Sequence, residues 1–213
     1  MVLCWIVDLL LDALAVLFPV ECAGCGSADR SVCAACRAAF GPPVLSRVGG
    51  LEVHSASRYE GVVRELVLAL KEGGRTDAAR AMGAAVAPLL EAASDRGTAL
   101  APIPSSRSAY RRRGYDPVGL LVRRAGFRPQ AVLRPARATA TQKSLDVHAR
   151  AHNTAGSLVA AADLSGRRFT IVDDVVTTGS TLGEAARAIR AAGGEVDGAV
   201  TFAATPRYFG QPR

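Results

Sequence analysis

The chain has 213 residues, 49% of them hydrophobic and 21% charged. That is enough apolar material for one full α/β domain plus a small appendage, and it excludes a disordered chain. The formal net charge of +7 is concentrated: residues 99–168 hold thirteen Lys or Arg against Asp116, Asp146 and Asp163, a balance of +10, while the remainder is −3. Such a segment fits a polyanionic ligand, phosphate or nucleic acid, as well as a solvated Arg-rich surface.

The opening stretch MVLCWIVDLLLDALAVLF is apolar but carries Asp8 and Asp12, and no Lys or Arg precedes Arg30. A secretory signal needs a basic n-region, and a spanning helix needs roughly 20 apolar residues without charges. Neither is expected, so the protein is expected to be cytoplasmic and not membrane-spanning. Asp8 and Asp12 share one helix face while Ile6, Leu9, Leu10, Ala13, Leu14 and Leu17 cover the other. This spacing predicts an amphipathic helix, ended by Pro19, that docks on the rest of the chain or on a protein partner.

CAGCGSADRSVCAAC follows, with Cys22, Cys25, Cys33 and Cys36 in two C-x-x-C turns. Two such turns aim four thiolates at one point, as a tetrahedral Zn²⁺ requires. The seven-residue loop between them makes the site compact. Two disulfides are the alternative, and they need an oxidising compartment. Four Cys leave no open coordination position, so the expected Zn²⁺ is structural. Cys4 reads as a small buried hydrophobe. Residues 1–47 are thus expected to form the helix and zinc segment, and 48–213 the larger domain.

From about Gly49 strands and helices alternate. LEVHSASRY reads as a strand, EGVVRELVLALKEGG as a helix ending at Gly73 and Gly74, and DAARAMGAAVAPLLEAA as an Ala-rich helix that must tolerate Pro88. TALAPIP is a short buried strand, YDPVGLLVRRAG a helix and QAVLRPA a weak strand. After a polar stretch over 137–157, RRFTIV is a strand, TLGEAARAIRAAGG a helix with Leu182, Ala185, Ala186 and Ile189 inward, and EVDGAVTFAA a final strand. This order predicts a mostly parallel sheet flanked by helices.

In such a sheet ligands gather at the carboxyl ends of the strands. There lies TIVDDVVTTGST, in which Asp173 and Asp174 are adjacent like charges, costly to bury without cations or hydroxyl donors. A ribose diol supplies two such donors. Thr177, Thr178, Gly179, Ser180 and Thr181 then offer successive backbone N–H groups, hydroxyls, a Gly for close approach and a helix start. Together they describe a ribose 5-phosphate pocket. A Walker A loop is excluded, because the chain has no Gly-Lys pair. A phosphatase of the Asp-x-Asp type needs carboxylates two apart. Thr181 and Glu184 as an ordinary capping box would explain the helix start but not the paired Asp.

IVDDVVTTGST resembles the phosphoribosyl pyrophosphate (PRPP) motif of type I phosphoribosyltransferases. The four-Cys segment after LLLDALAVLFP, LKEGGR at 70–75, APIPSSRSAYRRRGYDP and RATATQKSLDVHARAHN are similar to the ComF family, which includes competence-associated proteins. The resemblance covers essentially the whole chain and implies a type I phosphoribosyltransferase-like α/β fold. It makes Pro102 to Arg107, with Pro104, Ser105 and Ser106, the pyrophosphate loop, and Arg107 offers a fork for phosphate oxygens. Arg111 and Arg113 match its basic stretch, and Lys71 its Lys after the first helix. Thr141, Gln142, Arg150 and Asn153 match loosely a loop that covers the substrate. Where the family carries an Asn-Gln pair, this chain has Asp116-Pro117. A further carboxylate near a pyrophosphate weakens binding unless it meets an Arg or Mg²⁺.

The implied function is binding of PRPP with Mg²⁺ and transfer of phosphoribosyl to a nitrogen nucleophile, releasing pyrophosphate. Asp173 and Asp174 would hold the ribose, and the arginines and Mg²⁺ the pyrophosphate. The alternative is a non-catalytic module that binds single-stranded DNA or a protein partner in DNA uptake or repair. Only Tyr110, Tyr115 and Phe127 in the basic region can stack on bases.

Overall fold

The computed structural model describes residues 20–28, 30–136 and 155–206. The expected N-terminal helix and Thr141, Gln142, Arg150 and Asn153 lie outside them. In chain order the strands are β1 Val44–Val48, β2 Leu51–Arg58, β3 Ala99–Pro102, β4 Leu133–Pro135, β5 Leu158–Ala160, β6 Arg168–Val176 and β7 Glu195–Ala204. The helices are α1 Ala34–Ala38, α2 Gly61–Lys71, α3 Ala79–Asp95, α4 Arg107–Arg113, α5 Pro117–Arg124 and α6 Ser180–Ala191.

Five strands form one sheet in the order β1-β2-β7-β6-β3. The last four are parallel, and β1 closes one edge antiparallel to β2. Gly49 and Gly50, both at positive φ, make that reversal, which few other residues tolerate. β4 and β5 form a separate two-stranded ribbon. The predicted mostly parallel sheet flanked by helices is the observed fold, with α1, β1, α4 and β5 added to the predicted elements.

Alternation along the parallel strands sends side chains to two apolar layers. On one face Leu100, Val172, Val200 and Phe202 pack with α2, α3 and α5. On the other Ala101, Phe169, Ile171 and Ala199 pack with α6. Phe169 and Phe202 are fully buried, each contributing about 1.5–3 kcal/mol relative to exposure. α3 accommodates Pro88, which removes one helical N–H bond to Ala84. It also crosses α5 closely at Gly83, where a Cβ would lie 2.9 Å from Ala125 N.

Cys22, Cys33 and Cys36 join the same apolar cluster as Leu66, Met82 and Phe202. Arg75 Nη2 donates to Glu21 O at 2.7 Å and ion-pairs with Asp77. The cysteine segment therefore packs on α2 and α3, and β1 straddles the expected division at residue 48.

At the β6–α6 junction the structure extends the predicted strand and sets aside the capping-box alternative. β6 continues through the acidic pair to Val176, so Asp173 is still in register, opposite Thr201. The N-cap of α6 is Gly179, and no Thr181–Glu184 capping box forms. Glu184 is buried and instead accepts from Leu158 N at 3.0 Å and pairs with Arg187 at 2.7 Å.

Candidate functional site

The parallel strands β2, β7, β6 and β3 end side by side, and the segments leaving β2, β3 and β6 contribute to one cavity of about 360 Å³. Ile103 N donates to Val172 O at 2.9 Å, extending the β3–β6 pairing by one residue and holding the following Pro104-Ser105 turn beside Asp173. α2 does not run back down the sheet: its last residue stays at the strand ends, and the 17-residue α3 makes the return to β3. Tyr115 Oη donates to Leu70 O and anchors that helix end.

Lys71 Nζ meets Asp174 Oδ1 at 2.8 Å, with the Asp174 side chain 8% and the Lys71 side chain 36% exposed. Burial opposes the ammonium charge, but the Asp174 and Asp173 carboxylates outweigh it and raise Lys71 above its usual value. Asp173 is half-buried. Burial and the neighbouring Asp174 push its carboxyl well above the ordinary range, against the Asp174 N–H that it accepts at 2.9 Å.

Of the residues expected from sequence, Lys71, Pro104, Ser105, Arg113, Asp173 and Asp174 line this cavity, together with Thr177 and Thr181. Thr178, Gly179 and Ser180 form the turn behind it, with Thr178 Oγ1 and Ser180 Oγ 3.0 Å apart. Gly179 has φ +73°, and a Cβ there would lie 1.8 Å from Val48 Cγ1. The glycine is thus required by β1 as well as by the turn. Ser106 caps α4, accepting from Ala109 N at 3.2 Å. Tyr59 and Val118 line the cavity without having been singled out from sequence; Tyr59, the last residue of the predicted strand, carried a usable positional signal.

Arg107 and Arg111 turn to the opposite side of the Pro104-Ser105 turn. There they flank a second groove of about 430 Å³ with Tyr110, which is 51% exposed. Neither arginine makes an ion pair among the described residues.

Asp116 serves the α5 start: Oδ2 accepts from Gly119 N at 2.9 Å, and Pro117 occupies the first turn, where a missing N–H costs nothing. Its Oδ1 accepts from Ser105 Oγ at 2.9 Å and Ser105 N at 3.3 Å.

The four cysteine Sγ atoms lie within 4.8 Å of one another, and Cys25 and Cys33 are 3.8 Å apart. A tetrahedral Zn²⁺ with Zn–S of about 2.3 Å needs sulfurs about 3.8 Å apart. Burial works to raise the Cys22 thiol, but N–H donors of Cys33, Gly24 and Cys25 bring it down to about 6. Burial and the other three sulfurs push Cys36 up. Four thiols this close cannot all ionise without a cation, and the donor set fits zinc. Among the described residues no other group of three or more His, Cys, Asp or Glu is placed to hold a metal. Mg²⁺ commonly binds through one or two carboxylates plus substrate phosphates, and Asp173 beside the cavity fits that mode.

The sheet, the flanking helices and the acidic pair at the end of β6 make this an α/β protein of the type I phosphoribosyltransferase-like fold. Residues 122–212 match the family described as phosphoribosyl transferase domain. Over 47 residues the chain is 51% identical to the orotate phosphoribosyltransferase of Pyrobaculum aerophilum, covering 22% of this chain and 24% of that protein. It is 52% identical over 40 residues to that of a Nocardioides species, 19% and 22% of the two chains. It is 36% identical over 91 residues to the DNA utilization protein YhgH of Escherichia coli, 40% of each. The chain thus spans about a quarter of the orotate enzymes it matches. No helix among the described residues is long and apolar enough to cross a membrane.

Proposed function

We propose that this chain is a ComF-type protein that binds PRPP and transfers its phosphoribosyl group to a nitrogen nucleophile. The carrying observation is that Lys71, Ser105, Arg113, Asp173 and Thr177, drawn from four separate segments, line one cavity at the strand ends. Asp173 and Asp174 hold the ribose hydroxyls, the turn over 177–181 holds the 5′-phosphate, and Ser105, Arg113 and Lys71 face the pyrophosphate. In the reaction the bond from C1 to the pyrophosphate oxygen breaks, the nitrogen–C1 bond forms, and the nitrogen's proton passes to solvent. Lys71 and Arg113 offset the charge that develops on the leaving group. Mg²⁺ bound to the pyrophosphate would add to that stabilisation. The four cysteines hold a structural Zn²⁺, and Thr141, Gln142, Arg150 and Asn153 are proposed to cover the bound substrate.

Calorimetry with PRPP and Mg²⁺ tests this reading. The wild type binds, and Asp173→Asn with Asp174→Asn abolishes binding with little net loss of stability, the relief at Asp173 offsetting the lost Lys71–Asp174 pairing. Undiminished binding by the double variant would refute the assignment.

The Tyr110 groove favours a second reading in which single-stranded DNA lies across α4, one base on Tyr110 and phosphates on Arg107 and Arg111. YhgH, described as a DNA utilization protein, points the same way. Tyr110→Ala should weaken such binding by about 1–3 kcal/mol, and affinity should fall with salt at a slope of about −0.7 per phosphate neutralised. Failure of the wild type to bind oligonucleotide in low salt would dismiss this second reading.

A further inference from the structure

Ser105 stands at the wall between the two cavities, lining both. Its hydroxyl and backbone N–H are donors suited to a phosphate oxygen, but both already point at the Asp116 carboxylate, at 2.9 and 3.3 Å. Asp116 is itself held from behind, since its second oxygen accepts from Gly119 N at 2.9 Å. It makes no ion pair with any Lys or Arg among the described residues. A carboxylate fixed at the helix start and reaching the turn thus occupies the place of an anionic ligand.

We infer that Asp116 is a specificity-determining residue for the anion bound at the Ser105 turn, an internal competitor that a pyrophosphate must displace from the Ser105 donors. The inference rests on the phosphoribosyl reading above. Two anions cannot share one hydroxyl donor without repulsion, so the Ser105 turn discriminates against weakly charged or poorly neutralised ligands. It accepts one whose phosphates bring a cation or reach Arg113 on the cavity side. The 5′-phosphate turn over 177–181 lies apart from the Asp116 carboxylate, whose oxygens are taken by Ser105 and Gly119 N. Asparagine at 116 would keep an oxygen for Gly119 N, and Asn caps helices as well as Asp does. It would remove the charge and turn an amide donor, in place of an acceptor, toward Ser105.

The test compares three probes by calorimetry on the full chain with Mg²⁺: pyrophosphate, PRPP and ribose 5-phosphate. Asp116→Asn should bind pyrophosphate and PRPP about tenfold tighter than wild type, a gain of about 1.4 kcal/mol, with ribose 5-phosphate unchanged and melting temperature preserved. A merely structural role would shift all three probes together or none. Wild type that binds pyrophosphate without a selective gain in Asp116→Asn overturns the inference while leaving the phosphoribosyl reading standing. Neither protein binding pyrophosphate or PRPP overturns both. If Asp116→Asn fails to fold, Asp116→Ser provides the second arm. Serine caps helices as well as Asp does but carries no charge to contest the Ser105 donors, so the same selective gain for pyrophosphate and PRPP is expected, and its absence overturns the inference.

Discussion

Lys71 Nζ lies 2.8 Å from Asp174 Oδ1, joining the end of α2 to the end of β6 across the mouth of the cavity. Removing one partner of a buried ion pair leaves the other charge uncompensated. Because Lys71 is partly exposed, Lys71→Met should cost about 1–3 kcal/mol, below the range for a fully buried pair. Urea denaturation measures it. Adding Asp174→Asn should restore much of the loss, since the two sites share one interaction.

Asp173 supplies a pH signature. A carboxyl whose folded pKa is raised favours folding fully only below its unfolded value, near pH 4, and that contribution falls as pH rises through the folded value. Asp173→Asn should therefore raise stability at neutral pH and flatten this part of the profile. A ribose hydroxyl donating to Asp173 favours the ionised form, so PRPP binding should release a proton. Enthalpies measured in buffers of different ionisation heat would reveal it.

Zinc removal should be felt beyond the knuckles, because Cys22, Cys33 and Cys36 share an apolar cluster with Leu66, Met82 and Phe202. Elemental analysis should find one Zn²⁺ per chain. Chelation or Cys36→Ser should lower the melting temperature by more than about 5 °C, corresponding to roughly 2 kcal/mol. A metal-free protein of unchanged melting temperature would contradict it.

Gly179→Ala confronts two separate costs: a φ of +73° and a Cβ 1.8 Å from Val48 Cγ1. The first is about 1–2 kcal/mol, and the second forces β1 to move. Val48→Ala in the same chain should recover the steric part and leave the backbone part. Thermal melts of the single and double variants would separate them.

The sequence alone determined the alternating α/β order, the acidic pair before a Gly-containing turn, and the four-cysteine constellation. Each is a local pattern, written in periods of 2 and 3.6 residues or in short fixed spacings. The elements it did not reveal lack such a pattern. α4 buries no residue and so shows no apolar period, and β5 has three residues. β1, VLSRV, shows only a brief alternation ahead of Gly49-Gly50. What only the tertiary structure decided are the meetings of residues distant in sequence: Val48 on Gly179, Lys71 on Asp174 and Tyr115 on Leu70. The same holds for Asp116: its place in the sequence put a charge near the Pro104-Ser105 turn without saying which donors it takes. A side chain's local spacing constrains the face it presents, but its partner is fixed only when the sheet brings separate strand ends together.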